Sequence, residues 1–293
     1  MTRSPIGLTR WWKQAAWLLV AAGAMATATA QDAGALRSSY AALHDRFETN
    51  AFGRPLVLDS TQTSADLKGD VHAVVEHPFA AVEQSLGSID HWCDILILHL
   101  NVKRCRFDNA KKMLSLSVGR KFDQPVEDAY ALQFGFRVVV ATADYLQVQL
   151  NAEEGPLSTK NYRILVEAVP LDAKRTLIHM SYAYGYGFAA RLAMQTYFAT
   201  IGRDKVGFSV TGQKNGKPVY IDGVLGLLER NTMRYYLAID AFLGATGVPA
   251  ADQAEKRIRD WYASTDRYAT QLHEMDQAEY LEMKRKEIRR QQS

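Results

Sequence analysis

Between residues 114 and 186 the chain alternates apolar and polar positions with a period of two, in one run after another. Leu114, Leu116 and Val118 alternate with serines; Leu132, Phe134, Phe136, Val138 and Val140 form the next set; Leu146, Val148 and Leu150 alternate with glutamines. Tyr162, Ile164, Val166 and Ala168 follow, and Thr176, Ile178, Met180, Tyr182, Tyr184 and Tyr186 share one parity. Successive side chains of a strand point to opposite faces, so these runs, separated by turn clusters, predict an antiparallel meander of five or six strands.

The flanks read differently. Residues 33–48 place Leu36, Tyr40, Leu43 and Phe47 on one helical face, and a Gly-Pro break at 53–55 leads to one or two strands over 55–59 and 70–76. Pro78 opens a helix carrying Phe79, Val82 and Leu86. Ile89, Trp92, Cys93, Leu96, Ile97 and Leu100 recur at helical spacing, with a return to strand at Asn101. Beyond the meander, 188–201 reads as a helix and 206–220 as a hairpin-like excursion around Lys214-Asn215-Gly216. The segment 224–243 reads as a long helix with Asp222 at its N-cap. After a break at 244–249, the stretch 251–290 keeps a helical pattern through Ile258, Trp261, Thr265, Tyr268, Leu272 and Met275.

The first thirty residues change the picture most. Arg3, Arg10 and Lys13 precede an apolar stretch over 15–26, which closes on Ala28-Thr29-Ala30. That order is the order of a secretory signal peptide, so residues 1–30 are expected to be removed and the remainder to work in the periplasm. The same three cations match the whole net charge of +3. The remaining chain is thus neutral overall, with no global basic field to hold nucleic acid. Hydrophobic residues at 47% supply a sizeable core.

Two cysteines, Cys93 and Cys105, lie in the helix and in the expected strand after it. A helix that turns back into a strand would bring them together, whereas one continuous strand would hold them too far apart, so bonded and free states both stay open. His91, Cys93, His99 and Cys105 match none of the short paired spacings of zinc sites, and no metal is expected. Nucleophile-elbow, zinc-protease, phosphate-loop and dinucleotide fingerprints are absent, and no cofactor is expected.

The order of elements, and the run Gly69-Asp70-Val71-His72-Ala73-Val74-Val75 followed by His77-Pro78-Phe79-Ala80-Ala81-Val82, resembles the START-like helix-grip superfamily, in its polyketide cyclase and lipid-transfer branch. The resemblance covers about Arg54 to Ala245. It implies an α+β protein, an antiparallel sheet wrapped on a long helix, with an N-terminal helix over 31–53, a helix-grip domain over 54–245 and a helical extension over 246–293. It also implies a hydrophobic, lipid-like small molecule bound or shuttled in a cavity between sheet and helix. Tyr182, Tyr184 and Tyr186 would line that cavity or else cap the outer face of the sheet. Arg230 and Arg234, four apart with Asn231 between them, would clamp a ligand's carboxylate or phosphate, or pair with nearby carboxylates. No catalytic residue is assigned. A cyclase- or hydrolase-like enzyme using His99, His179 or Asp240 is the first alternative. An envelope assembly protein acting through its C-terminal helix is the second, and the basic residues Lys284, Arg285, Lys286, Arg289 and Arg290 are candidates for contact with a membrane surface.

Overall fold

The computed structural model describes residues 32–119, 124–187, 202 and 204–292. The signal segment and the helix expected over 188–201 lie outside them. Eight antiparallel strands form one sheet in the order β1-β2-β8-β7-β6-β5-β4-β3. They are β1 (Leu56–Gln62), β2 (Asp66–Val75), β3 (Val102–Asp108), β4 (Met113–Val118), β5 (Tyr130–Thr142), β6 (Tyr145–Glu154), β7 (Thr159–Pro170) and β8 (Thr176–Tyr186). The six strands from β3 to β8 are the meander expected from the alternation, and β8 comes to rest beside β2.

Helix α1 (residues 32–42) and the short α2 (His44–Glu48) precede the sheet. They cover its outer face, where Ala33, Leu36 and Phe47 pack on Val57, Val74, Val169 and Leu177. Helices α3 (Phe79–Leu86) and α4 (Ile89–Leu96) carry the chain from β2 to the far edge of the sheet. Pro78 occupies the N-cap of α3, one position before the helix that it was expected to open. At the end of α4 the chain folds back into β3, and a disulfide joins Cys93 to Cys105 with their Cα atoms 5.2 Å apart. The turn into strand is what makes that distance reachable.

The long helix α5 (Gly223–Gly244) lies across the inner face, against β1, β2, β8 and α4. Leu228, Met233, Tyr236, Leu237, Ile239 and Phe242 are buried there. The approach to β2 is close: a Cβ added at Gly69 would sit 2.2 Å from Thr232 Oγ1. Asp222 does occupy the N-cap of α5, with no side-chain capping bond. Before α5, β9 (Val210–Lys214) and β10 (Lys217–Tyr220) form an exposed hairpin of their own. It is tied at its base by Glu229, which accepts bonds from Ser60 Oγ, Ser209 Oγ and the Phe208 and Ser209 amides at 2.6–2.9 Å.

The extension is not one helix, which corrects the continuous helical reading of 251–290. It breaks into α6 (Ala250–Asp266), α7 (Ala269–Leu272) and α8 (Gln277–Gln292). Periodicity alone missed the second break because it is set from outside the segment: side chains of α5 bond the carbonyls of Gln271 and Leu272 where the chain turns back. Helix α8 then docks on β3 and α6. Tyr280 donates to the Leu98 carbonyl at 2.9 Å, and Glu287 lies between the buried Lys103 and Lys284 at 2.8 and 2.7 Å. Burial lowers the Lys284 pKa to about 8 although Glu287 opposes the shift. Arg285 pairs with Glu255. No described helix is long and apolar enough to cross a membrane.

Candidate ligand-binding site in the grip

The parity of β8 decides what faces α5. Met180, Tyr182, Tyr184 and Tyr186 point inward and are buried, so the tyrosines line the interior and do not cap the outer face. Tyr162 of β7 stacks on Tyr184 with centroids 5.1 Å apart, and Tyr182 lies 5.5 Å from Tyr184. From the helix side, Tyr235 meets Tyr182 at 5.1 Å and stacks on His99 at 4.8 Å. A continuous aromatic row thus joins the sheet to α5 and to the turn after α4.

The hydroxyls of this row are not equally served. Tyr162 shares a 2.8 Å bond with Thr159, and Tyr186 is bonded by Gln62 and donates to the Thr63 carbonyl. Those of Tyr182, Tyr184 and Tyr235 have no hydrogen-bond partner among the described residues. Burial raises the pKa of all three, so they stay neutral phenols. On α5 the positions Val224, Leu227, Asn231 and Tyr235 are only half-buried. Their spacing of three and four places them on one stripe of the helix, the stripe that presents Tyr235 to Tyr182.

His99 is buried, and burial followed by the nearby Arg234 and Lys284 charges holds its pKa well below the usual value of 6.5. Its Nε2 is without a partner, the Asn231 amide being close but outside hydrogen-bonding geometry.

Arg230 and Arg234 are turned to the extension. Both bond Glu274, at 2.8 Å for Arg234, and they also donate to the Gln271 and Leu272 carbonyls at 2.7 and 3.2 Å. Lys205 reaches the same carboxylate. Burial alone would raise the Glu274 pKa; Arg234, Lys205 and Arg230 together hold it low. Glu274 carried no signal in the local pattern, since only folding brings it under α5.

The remaining candidates are held apart from the row. Asp240 accepts two bonds from Arg54, at 2.9 and 3.0 Å. His179 lies on the outer face, its Nδ1 2.7 Å from Glu167 and its Nε2 2.9 Å from Asp70. Tyr145 donates to the other oxygen of Glu167 at 2.5 Å, and His72 stacks on His179 at 4.3 Å. Two pockets bounded by described residues lie outside the grip. One of about 10 Å³, among Trp261, Tyr262, Leu272 and Met275, has room for a single water. The other, an open groove of about 570 Å³, runs between Arg104 and Gln124–Glu127 on one side and Lys286 and Arg290 on the other.

Sheet order, strand direction and the position of α5 define an α+β protein of the helix-grip class. No family model matches the chain, and no curated protein does. Among solved structures, a conserved protein from Geobacillus kaustophilus is 10% identical and covers 61% of this chain and 95% of its own, with a TM-score of 0.36. An aromatase/cyclase from a Streptomyces species is 14% identical over 47% of this chain and 86% of its own, at 0.32. Human StAR-related lipid transfer protein 5 is 10% identical over 59% and 90%, at 0.30. The cyclase and the lipid transfer protein are helix-grip folds.

Proposed function

We propose that this protein binds an apolar, lipid-like small molecule between the sheet and α5, and so serves as its carrier. The observation that carries the reading is the set of unpartnered hydroxyls on Tyr182, Tyr184 and Tyr235 opposite a half-covered stripe of α5. Each of these hydroxyls leaves a bond unmade on the inner surface, and a made one is worth about 0.5–1.5 kcal/mol. Three of them on one surface make sense where a guest supplies the missing bonds. We further propose that the protein works outside the cytoplasm. The charged, apolar and small-residue order of its first thirty residues supports this, and so does the Cys93–Cys105 disulfide, a bond that persists in oxidising compartments.

Native mass spectrometry of protein purified from its own host tests the binding reading. A co-purifying apolar ligand is expected, and Tyr182→Trp or Tyr235→Trp, which add bulk to the row, should expel it while the fold persists. Protein that stays empty and takes up no fluorescent lipid would remove the proposal. Fractionation of the host tests the location, with the mature chain expected in the periplasm.

A further inference from the structure

His99 carries information about the polar end of the guest. Its Nδ1 accepts the Asn101 backbone N–H at 3.2 Å, which places the ring proton on Nε2. That N–H is buried and donates to nothing. The ring lies against Tyr235, which lies against Tyr182. One end of the row therefore gathers an imidazole N–H and two phenol O–H groups that donate to no described residue, with the Asn231 amide beside the imidazole. A guest oxygen that accepts from these donors would complete their bonding.

An anionic acceptor would need a counter-charge, because burying a carboxylate or phosphate unpaired costs far more than burying a carbonyl. The cations acting on His99 are Lys284, which is bonded to Glu287 and to the His99 and Val102 carbonyls, and the guanidiniums of Arg230 and Arg234. Both guanidiniums are already bonded to Glu274 and to the carbonyls of Gln271 and Leu272. Recruiting them for a guest would mean breaking the contacts that hold the extension against α5. The neutral donors offer no such conflict.

Resting on the reading that the grip takes an apolar guest, we propose that its polar end is a neutral carbonyl, as in a long-chain ketone, ester or quinone, held by the His99 Nε2–H and the hydroxyls of Tyr235 and Tyr182. The neutral imidazole makes this recognition insensitive to pH around neutrality.

The test compares uptake of a long-chain methyl ketone with the alkane and the carboxylic acid of equal length, by competition with a fluorescent lipid. One hydrogen bond to a neutral acceptor is worth roughly two- to tenfold in affinity. The ketone should therefore bind about tenfold more tightly than either analogue, with its carbonyl stretch shifted to lower frequency on binding. Tyr235→Phe and Tyr182→Phe keep the ring packing and should each remove part of the preference and of the frequency shift; His99→Leu should do the same. Preference for the acid, or a ketone preference unchanged in all three variants, would overturn the inference. Equal uptake of ketone and alkane would overturn it too but leave the grip as an apolar site. Failure of every probe, the alkane included, would remove both readings.

Discussion

Along β8, Tyr182 and Tyr184 enter the grip while His179, on the opposite parity, emerges on the outer face, and the two surfaces treat polar groups in opposite ways. Outside, His179 is bonded at both nitrogens, by Asp70 and Glu167, and Glu167 is bonded again by Tyr145. Inside, the hydroxyls of Tyr182, Tyr184 and Tyr235 are left without partners. The two surfaces differ in how far their polar groups are saturated. A saturated network fixes one arrangement of the strands. An unsaturated one leaves a debt of hydrogen bonds that a guest can settle, and only the second kind of surface points to binding.

The contrast can be broken most forcefully at its outer half. His179→Ala leaves Glu167 without its cationic partner and Asp70 with Lys68 alone, and should cost about 3–5 kcal/mol in urea unfolding. Next comes Gly69→Val, which drives a side chain into Thr232 across the sheet–helix contact. A loss of about 1–3 kcal/mol is expected, along with weaker ligand uptake, because α5 must move off β2. Tyr145→Phe removes one bond from a saturated carboxylate and should cost about 1–2 kcal/mol. Tyr182→Phe removes a hydroxyl that bonds nothing and should leave the ligand-free protein unchanged or up to about 1 kcal/mol more stable, while weakening binding. Equal losses for the last two variants would erase the distinction between the faces.

The outer cluster also gives stability a pH signature. Burial tends to lower the His179 pKa, but Asp70 and Glu167 raise it above 6.5, so its contribution is complete below pH 6.5 and is lost as pH rises through the raised value. Asp70 and Glu167 are held below 3.8 and 4.5, mainly by His179, and their contribution disappears as pH falls through those lowered values. His72, pushed down to about 4 by burial and by the His179 charge, favours the unfolded chain between pH 6.5 and 4. The contribution of this cluster to the denaturation midpoint should therefore be greatest near pH 6.5 and fall on both sides. His179→Gln should abolish the alkaline decline, and a decline that survives it would assign the effect elsewhere.

Much of this architecture was legible along the chain. Alternation marked the strands of the meander because a pleated strand with one buried face must repeat every two residues. The Pro78 helix, the hairpin around Asn215 and the long α5 were equally local, written in proline, glycine and helical spacing. The parity that binds Tyr182, Tyr184 and Tyr186 together was legible too, but whether that set faced in or out was not, because either face of a sheet can be the covered one until a helix is placed on it. The roles of Arg230 and Arg234 were open for the same reason: their partner Glu274 lies about forty residues away and meets them only because α7 ends beneath α5. The second break in the extension followed from those same contacts. Periodicity is a property of neighbours in the chain and survives in the sequence itself. Saturation of a hydrogen bond or a charge depends on groups distant in the chain, and so the choice between a paired outer face and an unpaired inner one was made by tertiary structure.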